Sequence, residues 1–410
     1  MRHQTLFRSG RLGALALTLV AGMIAGTGLP AQADPVRQDD PSNTWSADLV
    51  TIDDDDTNVT NVDGRLRLAD LTRTPASLRR PVPEGMLVTA THQLATPADL
   101  VTADYKGVGP GAGAGTGVTI EVRGQQADGE WGEWREAGTA LSEPTLLVQV
   151  RVVLTGANAT IGELALSATL TASPKTHAAT PGLTYRVFAT REGLVGGTTA
   201  NGHVITSRDH FVALPSRRGL AARNAGDYTV KVCTTSGTLR CEYAPVWDVG
   251  PWNTTDDYWN PSATRQSWKD LPQGRPEAQA AYQNNYNGGE DQFGRQVANP
   301  AGIDLADGTF WDGLKLTDNS WVNVSYLWTG TGSRATLGND LLNIRPSAST
   351  SGTALGYVAP YSRVPVECFA TGTTVTGTYR TSNQWDRLAT GQFISHAYVA
   401  SITGGTVAAC

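Results

Sequence analysis

Short runs of alternating apolar and polar residues dominate the chain after residue 40, and this is the pattern of β-strands with one buried face. Turns rich in glycine separate most of these runs. The clearest runs are residues 118–123, 146–154, 161–170, 184–190, 227–233 and 321–328. A helical pattern is confined to Arg275 through Tyr286. The sequence therefore predicts a mainly β protein with one helix in its second half.

Two stretches of small and polar residues divide the chain, at residues 172–182 and 329–333. A chain of 410 residues is too long to form a single hydrophobic core. We therefore expect three modules in tandem. The first spans residues 43–170 and is predicted to be a β-sandwich, the second spans 183–329, and the third spans 338–410.

The first 33 residues have the three parts of a signal peptide: basic residues, an apolar run over 12–24, and the small-residue end Ala31-Gln32-Ala33. A retained membrane anchor is the alternative, but it needs about 20 consecutive apolar residues. Glycines and Pro30 interrupt this run. We expect cleavage after Ala33, a secreted protein, and no membrane contact after cleavage.

Charge and composition restrict the partners. Loss of residues 1–33 removes three arginines and no acids, so the formal net charge of −6 becomes −9. Nucleic-acid binding uses clustered lysines and arginines to neutralise phosphates, so a nucleic-acid partner is not expected. The sequence predicts no cofactor, and it leaves the oligomeric state open.

Four cysteines follow the expected secretion signal, at positions 233, 241, 368 and 410. An even number in an exported chain predicts disulfides. Cys233 and Cys241 flank a turn-like segment and are expected to pair across a hairpin, which leaves Cys368 to pair with Cys410. A zinc site is the alternative, but the chain has no Cys-x-x-Cys motif and no nearby pair of histidines.

The acidic run Asp53-Asp54-Asp55-Asp56 offers carboxylate oxygens, which suit calcium. No glycine and distal glutamate stand at the spacing of a calcium-binding loop. We favour a solvated turn, and predict no metal site.

Aromatic residues are concentrated in the second module, which contains seven of the eleven tryptophans. Trp252, Tyr258 and Trp259 lie in a polar segment with few strand signals. Aromatic faces beside carboxylates and amides suit a sugar-binding groove, because the ring covers the apolar face of a pyranose while polar groups bind its hydroxyls. The alternative is that these rings pin the segment onto the rest of the module. The sequence leaves both open.

Four short motifs in the second module carry a resemblance. They are Thr199-Ala200-Asn201-Gly202, His210 ahead of Leu214-Pro215, Val246-Trp247-Asp248-Val249-Gly250-Pro251 and Ile303-Asp304-Leu305-Ala306. In this order they resemble the T-A-S-G, A-H-x-x-L-P, V-x-D-x-G-P and I-D-L-S strings of the double-psi β-barrel family, which includes rare lipoprotein A lytic transglycosylases and expansins. The resemblance implies a closed six-stranded barrel with a polysaccharide groove.

The same resemblance implies candidate site residues. His210, Asp248 and Asp304 would line or support the floor of the groove. His203, which follows the first motif, is a further candidate for binding the substrate. Lytic transglycosylases of this family have an acid between the motif Gly and His, which protonates the glycosidic oxygen. The acid at that place in this chain is Asp209, and Asp248 is the alternative proton donor. The alternative gives these residues no part in catalysis. The two histidines are then ordinary polar residues at the rim of the barrel, and the two aspartates fix turns.

The third module resembles a bacterial SH3-like domain. Residues 342–351 correspond to its L-N-V-R-x-G-P-S-T-S string, and residues 385–388 and 393–399 follow at familiar distances. Such domains bind cell-wall peptides, which would add a second attachment to a polymer. In the first module, residues 128–134 resemble a hairpin in the N-terminal β-sandwich of secreted actinobacterial amidases.

The fold prediction is thus a β-sandwich, a six-stranded double-psi-type barrel and a small SH3-like barrel in tandem. The expected function is that of a secreted protein associated with the cell wall. We expect it to bind or remodel a polysaccharide, with peptidoglycan glycan or peptide as its partner. One alternative is a glycan-cleaving enzyme that resembles lytic transglycosylases. The other is a secreted protein-binding module such as a protease inhibitor.

Overall fold

The structure is a computed structural model and describes residues 41–76, 82–108, 117–171 and 181–410. The predicted signal peptide lies outside these residues. No helix within the described ranges is long and apolar enough to cross a membrane. The described chain is mainly β, as the alternation of apolar and polar residues predicts.

The first module contains ten strands. They are β1 (Thr44–Ser46), β2 (Val59–Val62), β3 (Arg65–Leu68), β4 (Glu84–Val88), β5 (His92–Ala98), β6 (Leu100–Val108), β7 (Gly117–Gly124), β8 (Arg135–Glu136), β9 (Thr145–Thr155) and β10 (Thr160–Thr169). They form two five-stranded antiparallel sheets, one centred on β10 and one on β9. Leu66 and Leu164 of one sheet and Leu87 and Val150 of the other share one core. This is the predicted β-sandwich.

The second module forms a closed barrel of six strands. They are β11 (Leu183–Arg191), β12 (Val212–Leu214), β13 (Thr229–Thr234), β14 (Cys241–Val249), β15 (Ala301–Leu305) and β16 (Ser320–Tyr326). The order around the barrel is β12-β15-β11-β16-β13-β14, and β14 pairs with β12 to close it. The β11–β15 and β12–β14 pairs are parallel, and the others are antiparallel. The structure confirms a closed, mixed six-stranded barrel.

All nine residues of β14 are buried. Inside the barrel, valines and isoleucines such as Val187, Val246 and Ile303 meet the rings of Phe211 and Tyr326. A strand that is buried on both faces fits a closed barrel covered on its outside.

A long insertion, residues 250–300, joins β14 to β15 and contains helix α1 (Glu277–Asn284). The helical pattern over 275–286 predicts this element. It begins after Pro276 and ends where Asn285 takes a left-handed conformation, with φ of 54°. The remaining helical turns are short: 3-10 turns at Arg217–Gly219, Tyr286–Gly289, Leu327–Thr329 and His396–Tyr398, and a π-helical turn at Thr309–Gly313.

The third module has eight short strands. They are β17 (Arg334–Leu337), β18 (Leu342–Ile344), β19 (Gly356–Val358), β20 (Arg363–Pro365), β21 (Cys368–Thr376), β22 (Thr381–Ala389), β23 (Gln392–Ser395) and β24 (Val399–Thr403). Two three-stranded antiparallel sheets have the orders β20-β17-β24 and β21-β22-β23. Strand β19 pairs in parallel with β14, so the barrel's sheet continues into this module.

Two disulfides join the cysteines as predicted. Cys233–Cys241 connects facing residues of β13 and β14, and Cys368–Cys410 ties β21 to the C-terminal residue. All four cysteines are therefore paired, which removes the zinc alternative for them.

The hairpin at residues 128–134 of the sandwich contacts both other modules. Glu130 accepts a hydrogen bond from Arg363 of the third module at 2.6 Å. Glu133 accepts hydrogen bonds from the indole N–H groups of Trp259 and Trp328 at 2.6 and 2.9 Å. These buried contacts fix the sandwich, the barrel and the third module to one another.

Candidate functional site

Four acidic side chains meet at one end of the barrel because of the strand register. Thr190 of β11 lies opposite Asp304 of β15, so Glu192, just past the end of β11, lies near that carboxylate. Ala213 of β12 faces both Asp304 and Asp248. Asp307 follows β15 and completes the group. The electrostatic effect of all three aspartates on Glu192 reflects this proximity.

Asp248 is fully buried and rigidly held. Its Oδ1 accepts hydrogen bonds from the backbone N–H groups of Ala200 and Val249, both at 2.8 Å. Ala200 belongs to the Thr199-to-Gly202 motif, whose Asn201 is in turn fixed by Thr199 at 2.7 Å. Two of the motifs found in the sequence therefore act together to hold one carboxylate.

Glu192 has the most unusual environment of this group. Its side chain is partly exposed overall, but both carboxyl oxygens are buried. Burial raises the pKa of Glu192 well above its ordinary value. The negative charges of Asp248, Asp304 and Asp307 raise this pKa further. Glu192 therefore keeps its proton at a pH where an ordinary glutamate is ionised.

A cavity of about 320 Å³ opens beside Glu192. It is lined by Thr190, Arg191, Glu192, Leu194, Pro251, Trp252, Arg295, Ala298, Asn299, Asp304 and Asn319. One part of the wall thus carries carboxyl groups. The rest includes an indole, two asparagine amides, two guanidinium groups and several small apolar side chains, which are suited to binding a polar ligand with an apolar face.

Trp252 is held in place by its neighbours. Its indole N–H donates to Oδ1 of Asn299 at 3.1 Å, and its backbone carbonyl accepts from Arg295 at 2.6 Å. Arg295 is itself fixed by Asp291 at 2.6 Å. At the end of β11, Arg191 is paired with Asp307 at 3.0 Å. These contacts give the wall a fixed shape before any ligand binds.

Of the residues predicted from the sequence, Asp304 and Trp252 line this cavity, and Asp248 lies directly behind Glu192. His210 lies elsewhere. Its Nδ1 contacts Oε1 of Glu242 at 2.9 Å, and its ring meets Tyr357 edge-on. Burial alone would lower the pKa of His210, but the charge of Glu242 and its hydrogen bond outweigh burial and raise it. This histidine is placed to connect β14 to the third module.

His203 and Asp209 form a separate pair, joined at 2.7 Å. Burial would raise the pKa of Asp209, but hydrogen bonds from His203 and Thr206 outweigh burial and lower it. Asp209 therefore keeps its charge at neutral pH, and an ionised carboxylate has no proton to donate. In this structure Asp209 is the partner of His203 and is not among the residues that line the cavity beside Glu192.

Tyr258 and Trp259 are fully buried and offer no face to a ligand. The hydroxyl of Tyr258 donates to the carbonyl of Gly302 at 2.8 Å, and Trp259 stacks on Tyr326. Their positions match the alternative left open by the sequence, in which these rings pin the insertion to the barrel.

Sequence reasoning missed Glu192, because it belongs to none of the four motifs. The available signal was its position: it is the first acid after the strand pattern of residues 184–190. The property that sets Glu192 apart is the burial of its carboxyl oxygens beside Asp248. This burial depends on pairing between strands that are far apart in the sequence.

Within the described ranges, one group of carboxylates has oxygens close enough to surround a cation, namely Asp53, Asp55 and Asp56, within 4.8 Å of one another. Burial raises the pKa of Asp55 to about 8 and that of Asp56 to about 6. Oxygens of Asp53 and Asp56 accept hydrogen bonds from backbone N–H groups of the same turn and of Val88. This is the hydrogen bonding of a structured turn, but Asp56 is buried and Asp55 is partly buried, so the turn is less solvated than the sequence predicts.

Comparison with known proteins finds one family model and one curated relative. A family described as a domain of unknown function (DUF8814) matches residues 183–325. The chain is also similar to the uncharacterized protein YraI of Bacillus subtilis (strain 168), with 36% identity over 74 residues, or 16% of this chain and 62% of YraI. The chain thus covers less than two thirds of the length of that relative. No solved structure matches.

Proposed function

We propose that this chain is a secreted, cell-wall-associated protein that binds and remodels a polysaccharide, with peptidoglycan as the polymer and the barrel cavity as the sugar-binding site. The observation that carries the proposal is the cavity beside Glu192. Its volume of about 320 Å³ lies at the lower end of the range for small-molecule sites, roughly 300–1,000 Å³, which suits one or two sugar units of a chain.

The lining chemistry supports a sugar ligand. Trp252 supplies an aromatic surface for the apolar side of a pyranose ring. Asn299, Asn319 and Asp304 supply donors and acceptors for hydroxyl groups. Because Trp252 and Arg295 are already held by hydrogen bonds, little side-chain freedom is lost when a ligand binds.

The resemblance to double-psi barrels supports the same proposal. The V-x-D-x-G-P and I-D-L-S motifs correspond to segments containing Asp248 and Asp304, and both residues lie at this end of the barrel. The third module resembles SH3-like domains that bind cell-wall peptides. Its fixed attachment to the barrel would let both contact one polymer together. Paired cysteines suit an oxidising location outside the cytoplasm.

Binding to glycan strands freed of peptide tests the proposal, since such strands exclude a contribution from peptide contacts. Calorimetry with the chain from residue 34 onward should show saturable binding. Trp252→Ala should weaken that binding about tenfold, because a lost aromatic contact costs roughly 1 kcal/mol beyond its buried area.

The matched control is Trp321→Ala, since Trp321 is partly exposed but packs on Phe188 outside the cavity. It should bind like the unmodified chain. Equal loss in both variants, or a protein that stays wholly in the supernatant of intact sacculi, would overturn the proposal.

A further inference from the structure

We propose that the third module contains a carboxylate-binding site at Arg380, which takes the free C-terminal carboxylate of a short peptide ending in a small apolar residue. Arg380 is exposed and lies in the turn between β21 and β22. It is not among the residues that line the barrel cavity, and its ligand needs no sugar. The inference therefore goes beyond the proposed function.

A chain of hydrogen bonds holds the guanidinium group of Arg380. Its Nη1 lies 2.7 Å from Nε2 of His396. A guanidinium group can only donate, so Nε2 of His396 is the acceptor and the proton of this neutral ring is on Nδ1. Nδ1 then donates to Oδ2 of Asp386 at 2.7 Å, while Oδ1 of Asp386 accepts from Gln384 at 3.0 Å. These contacts set His396 in one tautomer and one orientation.

The far end of this chain of hydrogen bonds is buried, which makes it rigid. Asp386 is fully buried in β22, and the side chain of His396 is only 15% exposed. On the other side, Nη2 of Arg380 donates to the backbone carbonyl of Val399 at 2.9 Å. Both terminal nitrogens of Arg380 are thus fixed, so little side-chain freedom remains to be lost when a ligand binds.

The charge of Arg380 is not neutralised by a directly paired acid. Among the residues that the structure describes, its hydrogen-bond acceptors are the ring of His396 and the carbonyl groups of Val399 and Ala400. These use at most three of its five N–H donors. Arginine and carboxylate form charge-assisted hydrogen bonds, often two at once, so the remaining donors suit a carboxylate from outside the chain.

An exposed arginine elsewhere in the same module shows the contrast. Arg387 of β22 is paired with Glu367 at 3.0 Å, so its charge is already matched within the chain. The same module therefore contains one exposed arginine with an acidic partner and one, Arg380, that is held by neutral groups. Only the second has its full charge available to an external anion.

The turn that presents Arg380 also presents an apolar surface. Tyr379, the preceding residue, is 44% exposed. The hydroxyl of Thr378 donates to Asp340 at 2.6 Å, which fixes the turn beside Leu341, itself 41% exposed. A rigid cation beside exposed apolar side chains suits a peptide end whose carboxylate belongs to a small apolar residue. Cell-wall peptides that end in alanine have this chemistry.

Two peptides that differ only in their terminal charge test the site. The chain from residue 34 onward is titrated with acetyl-Lys-D-Ala-D-Ala and with the same peptide carrying a C-terminal amide, and binding is followed by ligand-observed NMR. The acid should bind at least about tenfold more tightly than the amide, because hydrogen bonds between charged groups are stronger than neutral ones.

Variants assign the preference to Arg380. Arg380→Gln should abolish the preference for the acid, and Arg380→Lys should keep only part of it, because an ammonium group cannot form the bidentate contact. His396→Gln releases one hold on Arg380 and should weaken binding of the acid less than Arg380→Gln does. The matched control Arg387→Gln should bind like the parent. Unfolding temperatures within a few degrees of the parent verify that the variants fold.

Several results would overturn the carboxylate site. They are equal binding of acid and amide by the parent chain, absence of binding by both, and an unchanged preference in Arg380→Gln. An equal loss in Arg387→Gln would also overturn it, because the net charge of the module rather than Arg380 would then set the preference. None of these results bears on the barrel cavity, which peptide-free glycan strands test separately.

Discussion

Glu277, at the start of α1, shows how a single buried acid sets a pH dependence. Its side chain is fully buried, and Asn253 donates a hydrogen bond to its Oε2 at 2.7 Å. Burial raises the pKa of Glu277 to about 7, and the negative charges of Asp256 and Asp291 act in the same direction. The insertion therefore folds around a carboxyl group that favours its protonated form.

Stability should consequently fall between pH 5 and pH 8. The folded-state pKa of about 7 lies above the ordinary value of 4.5, so the folded chain binds this proton more tightly than the unfolded chain. The stabilisation from this proton is fully present below the pKa of Glu277 in the unfolded chain. It is lost as the pH rises through the pKa of Glu277 in the folded chain. Glu277→Gln keeps the hydrogen bond from Asn253 and should raise the free energy of unfolding at pH 8 by about 3 kcal/mol.

Urea unfolding of both chains at pH 5 and pH 8 measures this difference. At pH 5 the difference should shrink to less than about 1 kcal/mol, because this pH lies just above the unfolded pKa of 4.5. The exposed-site control Glu163→Gln should follow the parent at both values. A variant that is no more stable at pH 8 than the parent would show that Glu277 is ionised there without cost.

The elements could be predicted to different degrees, and the reason is physical. Strands β7, β9 and β10 and helix α1 follow from local periodicity, which depends on neighbours in the sequence. Closure of the barrel depends instead on β12, a three-residue strand that pairs with both β14 and β15. No local pattern reports such pairing.

The candidate site shows the same limit. Asp248, Asp304 and Trp252 could be predicted because they lie in or beside recognisable motifs. Glu192 could not, since its importance arises from burial beside Asp248. His210 lies away from this group, because its partner Glu242 is on the same strand as Asp248 but at another position along it.

The two disulfides should contribute unequally at the scale of elements. Cys233–Cys241 closes a loop with a sequence separation of 8 within a hairpin, whereas Cys368–Cys410 spans a separation of 42. Loop-closure entropy grows with loop length, so loss of the longer link should cost about 4 kcal/mol and loss of the shorter about 2.5 kcal/mol. Urea unfolding of the two paired Cys→Ser variants measures both. Equal losses would mean that native contacts, rather than loop length, set the contribution.

At the scale of the whole molecule, the third module depends on the barrel for its core. That core includes Tyr243 of β14 and Leu327 beside β16, together with Ile344 and Val364 of the third module. Strand β19 also extends the barrel's sheet. We therefore expect the barrel and third module to unfold in one cooperative transition.

Arg363 is the side chain whose loss should most directly weaken the attachment of the third module to the sandwich and the barrel. It bridges Glu130 of the sandwich at 2.6 Å and Asp227 of the barrel at 3.2 Å, and it is largely buried. Arg363→Ala leaves both acids partly buried without this partner, which should cost about 3 kcal/mol. Arg387→Ala, which removes an exposed pair with Glu367, should cost less than about 1 kcal/mol.

Two probes distinguish loss of stability from loss of coupling between the modules. Tryptophan fluorescence reports mainly on the barrel, and hydrogen exchange of β21 and β22 reports on the third module. In the parent chain both should give one urea midpoint. In Arg363→Ala both midpoints should fall. The third module should then unfold first, because Arg363 is its charged link to the sandwich hairpin. If the midpoints stay together and unchanged, β19 and the shared core alone hold the modules together.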